Sequence, residues 1–109
     1  MSDFNPNDSV DFIFKTAPKF AKAKSERVYL EQFRKSKKAL LMAASEQSSA
    51  VMKEVEAYAH PDYLEVLEGL KVSTELEEAL RWQLVAAQAR MEIWRTQSAN
   101  NRAADSAAR

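Results

Sequence analysis

The stretch Ala59-His60-Pro61-Asp62 lies between two long segments that contain almost no helix-breaking residues. Pro61 lacks a backbone N–H and disfavours the α conformation of the residue before it, so a helix arriving from the N-terminal side must end near His60. Proline also fits the first turn of a helix, and Asp62 places a carboxylate at the positive end of that helix. The stretch therefore predicts a turn at His60-Pro61 that joins two helices into an antiparallel hairpin.

The segment before this turn predicts a long helix over 19–59. It contains no Gly or Pro, and its apolar residues recur at three- and four-residue steps, as a helix with one apolar face requires. The members of this stripe are Tyr29, Leu30, Phe33, Leu40, Leu41, Ala44, Val51, Val55 and Tyr58. Because Pro18 ends any earlier helix, we expect residues 1–18 to form an N-terminal arm with a short helix over 10–14.

The segment after the turn predicts a second helix over 62–98, because its apolar residues keep helical spacing. Thr74 followed by Glu77 fits a capping box, so a kink near 70–74 is an alternative to a continuous helix. Residues 99–109 contain alanines but no large apolar side chain. We therefore expect this tail to fray.

Length and composition predict one small all-α domain spanning residues 1–109. Two helices of this size bury little surface, so we expect the hairpin to assemble into a helical bundle of coiled-coil type, as a homo-oligomer. The absence of Cys excludes disulfide and thiol chemistry and indicates a reducing compartment. No signal peptide and no membrane span of about 20 apolar residues is recognisable, so we expect a cytoplasmic protein with no membrane partner.

Charge is segregated along the chain although the formal net charge is zero. Residues 15–38 carry nine basic side chains against two acidic ones, and residues 46–80 carry nine acidic side chains against two basic ones. In an antiparallel hairpin the acidic block surrounds the turn, while the basic block meets the arginine-bearing tail at the open end. Two such rods laid antiparallel would match opposite charges and cover each other's apolar stripes.

No motif for catalysis, metal binding or nucleotide binding appears in the sequence. His60 is the only histidine and lies at the predicted turn, without the further ligands that a metal site or an acid–base pair needs. Glu75, Glu77 and Glu78 point in different directions on a helix and lack the Glu-x-x-His element of di-iron bundles. We therefore predict a non-enzymatic protein with no cofactor, no metal and no small-molecule substrate.

Two sets of side chains are candidates for contact with a partner. The candidate nucleic-acid or partner contacts are the basic residues Arg27, Arg34, Lys35, Lys37, Lys38, Arg81, Arg90 and Arg95. The candidate interface residues are the aromatic side chains Tyr29, Phe33, Trp82 and Trp94. Cations interleaved with aromatics suit phosphate contacts. These charges also fall all around the helix, as on a solvated surface, so both interpretations stay open.

Two segments, RVYLEQFRKSKKALLM at 27–42 and ALRWQLVAAQARMEIWR at 79–95, resemble small uncharacterised helical proteins of tailed phages and prophages. Such proteins are often encoded in early or recombination regions. The resemblance brings no catalytic residues, and it implies a phage accessory protein in the cytoplasm of a bacterial host.

The expected function is therefore binding. We expect a non-enzymatic phage-type accessory protein that binds a host or phage protein, or a DNA–protein complex, in DNA recombination, replication or host defence. The protein partner is expected to be a host protein, a second copy of the chain, or both. Direct nucleic-acid binding through the basic end is one alternative, and a structural assembly protein is another.

Overall fold

The computed structural model describes residues 4–108 and contains three α-helices in this part of the chain. Helix α1 spans Pro6–Ala44, α2 spans Ala50–Ala59 and α3 spans Pro61–Ala108. Within the described residues 92% are helical and there are no strands. The predicted all-α helical hairpin is confirmed. None of these three helices is apolar over a long enough stretch to cross a membrane.

The predicted turn is a single non-helical residue between α2 and α3. His60 has an extended backbone with φ −68° and ψ 136°, and its N–H donates to the carbonyl of Ala57 at 3.2 Å. Its side-chain Nδ1 accepts the N–H of Asp62 at 3.0 Å. Pro61 is the first residue of α3, where its missing donor is harmless. His60 therefore ends one helix and caps the next.

A second turn, at residues 45–49, interrupts the predicted helix over 19–59. Ser49 has an extended backbone with φ −118° and ψ 154°, and its hydroxyl accepts the N–H of Met52 at 3.1 Å. The Ser45 hydroxyl accepts a backbone N–H two residues further on, also at 3.1 Å. Serine side chains thus bind backbone donors that a continuous helix would pair internally. The prediction of one unbroken helix was wrong, and α2 is a separate helix.

Pro18 does not separate a short N-terminal helix from α1. The helix runs through it, so the predicted arm over 1–18 is, from Pro6 onward, the first part of a 39-residue helix. The first three residues of that arm lie outside the described residues. Thr16 and Ala23, on either side of the proline, are 5% and 3% exposed. Packing on both sides outweighs the roughly 3 kcal/mol that proline costs inside a helix.

Helix α3 continues without the kink that was considered near 70–74. The Thr74 hydroxyl donates to the carbonyl of Leu70 at 2.8 Å, which is a bond made inside a helix and not a cap that starts a new one. The tail over 99–108 is also helical, as its alanines favour, although its side chains are exposed. The final residue of the predicted tail lies outside the described residues.

The chain divides into two compact units. The central unit is Ala21–Glu78, and the terminal unit contains the described residues of Met1–Phe20 and Ala79–Arg109. Each unit therefore holds one segment of α1 and one segment of α3, and the central unit also holds α2. The prediction of a single domain stays a prediction.

Within the central unit, α1 and α3 are antiparallel. Arg27 of α1 contacts Glu77 of α3, whereas Lys37, further along α1, contacts Asp62 in the first turn of α3. Helix α2 contacts α3 through Tyr58, whose ring centroid lies 5.3 Å from that of Tyr63, and its Ala57 is 1% exposed.

Buried side chains recur at seven-residue intervals. On α1, Ser9 is 6% exposed and begins a series that continues with Thr16 and Ala23, both of which are less exposed than Ser9. On α3, Leu80 and Ala87 are 9% and 6% exposed and are also seven residues apart. Seven residues make two turns of a slightly underwound helix, which is the spacing of a coiled-coil seam. The seam is made mostly of small side chains.

The apolar core is small. Among residues 4–108 the buried apolar side chains are Ala23, Ala57, Tyr63, Leu80 and Ala87. Large apolar side chains are instead exposed at many positions, and the predicted stripes face the interior only in part. Leu40 is 62% exposed, whereas its neighbour Leu41 is half-buried. Because consecutive residues differ by about 100° around a helix, only one of the two can face the seam.

This difference between two adjacent leucines gives a matched pair of substitutions. Leu41→Asp should lower the free energy of unfolding by about 2 kcal/mol or more, because it places a carboxylate on the half-buried side of α1. Leu40→Asp should change the free energy of unfolding by less than ~0.5 kcal/mol. Urea titration followed by circular dichroism at low protein concentration measures both. Equal losses would show that the orientation of α1 is misassigned.

Gly69 offers a test of the continuous α3. It has no positive φ, and a Cβ added there would lie 3.6 Å from Leu30 Cδ1, an ordinary van der Waals distance. Gly69→Ala should therefore stabilise the protein by about 0.5–1 kcal/mol, because alanine favours the helix and fits the space. Gly69→Val, with a β-branched side chain, should gain less. A loss of stability in Gly69→Ala would contradict a regular helix at this position.

Candidate interaction surfaces

Arg27 is held by two carboxylates of the central unit. Its Nε and Nη2 donate to the two carboxylate oxygens of Glu77, the latter at 3.3 Å, and its Nη1 donates to Glu31 at 2.9 Å. The Glu77 side chain is 3% exposed and that of Arg27 is 22% exposed. The hydrogen bond with Glu77, followed by that with Glu31, raises the pKa of Arg27 above its ordinary value. This cation is engaged within the protein.

Lys37 and Lys38 also contact carboxylates of the central unit. Lys37 Nζ lies 3.7 Å from Asp62 on α3. Lys38 Nζ lies 3.2 Å from Glu54 and 4.5 Å from the centre of the Tyr58 ring, both on α2. A hydrogen bond with Tyr58 raises the pKa of Lys38, and Glu54 adds to the effect against the opposing effect of burial. The two lysines therefore join α1 to its neighbouring helices.

Arg34 and Lys35 differ from these paired residues. Arg34 is half-buried, and its Nε is buried without a hydrogen-bond partner among residues 4–108. Lys35 is exposed and forms no ion pair within the described residues. Other lysines of α1 are exposed as well, at Lys15, Lys19, Lys22 and Lys24. Of the predicted contacts on α1, Lys35 is the one best placed to meet an external anion.

The three predicted arginines of α3 have different surroundings within the terminal unit. Arg81 lies over the Phe20 ring, with its Cζ 5.1 Å from the ring centre, in a cation–π contact. Arg95 pairs with Glu92 on its own helix. Arg90 lines a groove with residues of α1. These arginines do not form a single cationic cluster in this unit.

That groove has a volume of about 750 Å³ and is open to solvent. Phe12 and Asp8 of α1 line one side, and Ala87 and Arg90 of α3 line the other. The groove therefore combines apolar and neutral polar side chains with one carboxylate and one guanidinium among residues 4–108.

The four predicted interface aromatics are all at the surface or half-buried. Tyr29 is 64% exposed and stacks on the half-buried Phe33, with 5.9 Å between ring centroids. Trp82 is 63% exposed and Trp94 is 40% exposed. Large aromatic side chains exposed in this way are typical of interaction surfaces.

A groove of about 460 Å³ separates α1 from α3 on one side of the central unit. Phe33 lines it from α1 and Gly69 opens it from α3, because glycine has no side chain. Tyr29 lies one turn before Phe33, while Val72 and Leu76 follow Gly69 at three and seven residues, on the same side of α3. Val72 and Leu76 are 56% and 53% exposed. We call these five residues the groove face.

Helix α2 turns its apolar side away from the rest of the central unit. Ala57 is buried, whereas Val51, Met52 and Val55 are all exposed. At about 100° per residue these three lie on one side of α2, opposite Ala57. The Ser45 hydroxyl donates to Glu56 of α2, and Ser49 caps the first turn of α2.

Helix α3 carries a further exposed apolar series in the terminal unit. Trp82, Val85, Ala86, Ala89 and Ile93 are exposed and follow the i, i+3, i+4, i+7, i+11 spacing of one helix side. We call this series the Trp82 stripe. It lies on the side of α3 opposite the buried seam.

No group of three or more His, Cys, Asp or Glu side chains within residues 4–108 is arranged to hold a metal ion. The Nδ1 atom of His60 is occupied by the helix-capping bond. The predictions about catalysis and cofactors stay predictions.

Comparison with known proteins finds no matching family model, no matching curated protein and no matching solved structure. The predicted relationship with phage proteins stays a prediction.

The exposed side of α2 and three members of the groove face, Gly69, Val72 and Leu76, were not predicted from the sequence. The signal for α2 was the run Gln47-Ser48-Ser49 before Val51 and Val55, because serine before an apolar series is a helix start. The signal for Val72 was its three-residue spacing from Gly69.

The burial of Glu77 generates a test of the ion pair. Glu77→Gln should destabilise the protein clearly more than Glu31→Gln, because only Glu77 is buried and its loss leaves Arg27 partly desolvated. The double variant Arg27→Leu/Glu77→Leu should regain most of the loss, since it removes both charges. Thermal unfolding of the three variants measures this. Equal effects of the two glutamate substitutions would contradict the assigned pairing.

Proposed function

We propose that this chain is a non-enzymatic binding protein that recognises a protein partner through an exposed apolar helix face. The Trp82 stripe is the surface that supports this best, because it offers a tryptophan and two aliphatic anchors on one rigid helix. Tryptophan is prominent among the residues that dominate binding energy at protein interfaces. The main support for this proposal is that large apolar side chains are exposed, whereas several cations of residues 15–38 are paired within the chain.

The proposed setting is that of a phage accessory protein in the cytoplasm of a bacterial host. There it would bind a host or phage protein, or a DNA–protein complex, in DNA recombination, replication or host defence. The two segments that resemble small phage proteins support this setting, and the second of them contains the Trp82 stripe.

Direct nucleic-acid binding is the second candidate function. Exposed lysines on α1, Lys35 among them, favour it, because unpaired cations are what phosphate contacts require. The pairing of Arg27, Lys37 and Lys38 weighs against it. A purely structural assembly role would use the same apolar faces without a second kind of partner.

A pull-down from a bacterial lysate, run with and without nuclease, tests the proposal. We expect the chain to capture a protein whose binding persists after nuclease treatment. The double variant Trp82→Ala/Ile93→Ala should no longer capture this protein, because it removes the large side chains at the two ends of the stripe. Phe14→Ala is the matched control, since Phe14 is 76% exposed in the same unit but lies outside the stripe.

Loss of every captured protein on nuclease treatment would favour nucleic acid instead. In that case affinity for DNA should fall by roughly one log unit per log unit of salt for each phosphate neutralised. Reversing Lys15, Lys19 and Lys35 to Glu should then abolish DNA binding with helix content unchanged. Tight DNA binding with this behaviour would overturn the proposed function.

A further inference from the structure

We propose that two copies of this chain associate through the groove face, around a two-fold axis parallel to α1 and α3. The groove face belongs to the central unit, whereas the Trp82 stripe belongs to the terminal unit. Self-association therefore goes beyond the proposed function and uses different residues, so either can fail without the other.

The surface area of the chain is large enough for such an interface. A folded monomer of 12.4 kDa is expected to expose about 6,100 Å², from the scaling of surface with mass. This chain exposes 8138 Å². A stable interface buries about 800 Å² per partner, and obligate homodimers bury more. The chain therefore exposes more area than a compact monomer of its mass, and Tyr29, Val72 and Leu76 of the groove face contribute to that exposed area.

The groove face is self-complementary. Tyr29 projects from α1 with 64% of its surface exposed, and the groove opens on α3 where Gly69 has no side chain. A projection and a recess on the same face allow two copies to insert into each other at once, as a two-fold interface requires. Val72 and Leu76, each more than half exposed, supply the apolar rim around the recess.

Charges at the edges of this face select the geometry. Lys37 lines the α1 edge of the groove, 3.7 Å from Asp62 of its own chain, and Asp62 and Glu65 line the α3 edge. Glu65 forms no ion pair within the described residues. A two-fold axis across the helices would lay α1 on α1 and bring like charges together. An axis along the helices lays α1 on α3 of the second copy, so that opposite charges meet.

This geometry fixes the register between the copies. An axis along the helices keeps each residue at its own height, so the pairing inside the central unit is repeated across the interface. Tyr29 then faces Val72 of the second copy, and Lys37 faces Glu65 of the second copy. The charge distribution of the whole chain predicts two rods laid antiparallel. The charges of the groove face itself favour the arrangement with both turns at one end.

Sedimentation velocity over a range of protein concentrations tests the association. The wild-type chain should dimerise at micromolar concentration, and Val72→Asp should raise the dimer dissociation constant by roughly thirtyfold or more. Leu64→Asp is the matched control, because Leu64 is 51% exposed on the same segment of α3 but lies off the groove face. A wild-type monomer, or equal behaviour of the two variants, would overturn the proposal. Circular dichroism checks that both variants remain helical.

Two further measurements test the register. Because the chain has no cysteine, Tyr29→Cys and Val72→Cys can be mixed under oxidising conditions. A disulfide should form between the two different variants and not between two copies of the same one. In addition, Lys37→Glu/Glu65→Lys should recover affinity that each single reversal loses. Self-crosslinking of Val72→Cys alone, or no recovery in the double variant, would overturn the proposed axis.

The pull-down described above separates this inference from the proposed function. Val72→Asp should still capture the protein partner, because the Trp82 stripe is intact. Trp82→Ala/Ile93→Ala should still dimerise. Coincident loss of both properties in either variant would contradict the assignment of the two surfaces to different roles.

Discussion

The packing of α1 against α3 along a seam of mostly small side chains is the constraint on which the rest of this molecule depends. Ser9, Thr16 and Ala23 occupy the buried positions of α1 at seven-residue intervals, and Ala87 is among the buried residues of α3. Small residues let two helices approach closely, but each of them buries little apolar area. Large apolar side chains at neighbouring positions are then displaced to the sides of the pair. The exposed faces follow directly from the composition of the seam.

The ion pair between Arg27 and Glu77 interrupts this seam and fixes the register between α1 and α3. Burying Glu77 beside Arg27 carries a desolvation cost that the attraction between them only partly offsets, so the pair adds little net stability compared with an apolar contact. Its effect lies in specificity. Shifting α3 by one turn relative to α1 would leave a buried carboxylate without its partner, whereas the small residues of the seam would tolerate the shift. The ion pair thus discriminates against alternative registers.

The sequence predicted those elements that depend on the covalent structure of a residue, such as proline, or on its immediate neighbours. Pro61 stops a helix whatever surrounds it, and the turn at His60 is where it was expected. The same rule predicted that Pro18 ends a helix, and this prediction was wrong. Tertiary packing on both sides of a proline is not visible in the local sequence. The turn at 45–49 was missed for the opposite reason. It contains neither Gly nor Pro and forms through the hydrogen bonds of serine side chains.

The same distinction applies to the surfaces. Exposed aromatic anchors such as Tyr29 and Trp82 could be recognised by residue type and helical spacing. The sequence did not show which cations pair within the chain and which are exposed. Arg27 and Lys35 are both cations on α1, and the local sequence does not show which of them is exposed. Glu77, which lies on another helix, makes Arg27 internal. In this chain charged groups connect the helices, while many large apolar groups are exposed. An apolar surface of this kind is stabilised when it is covered, and this is the physical basis of the proposed binding.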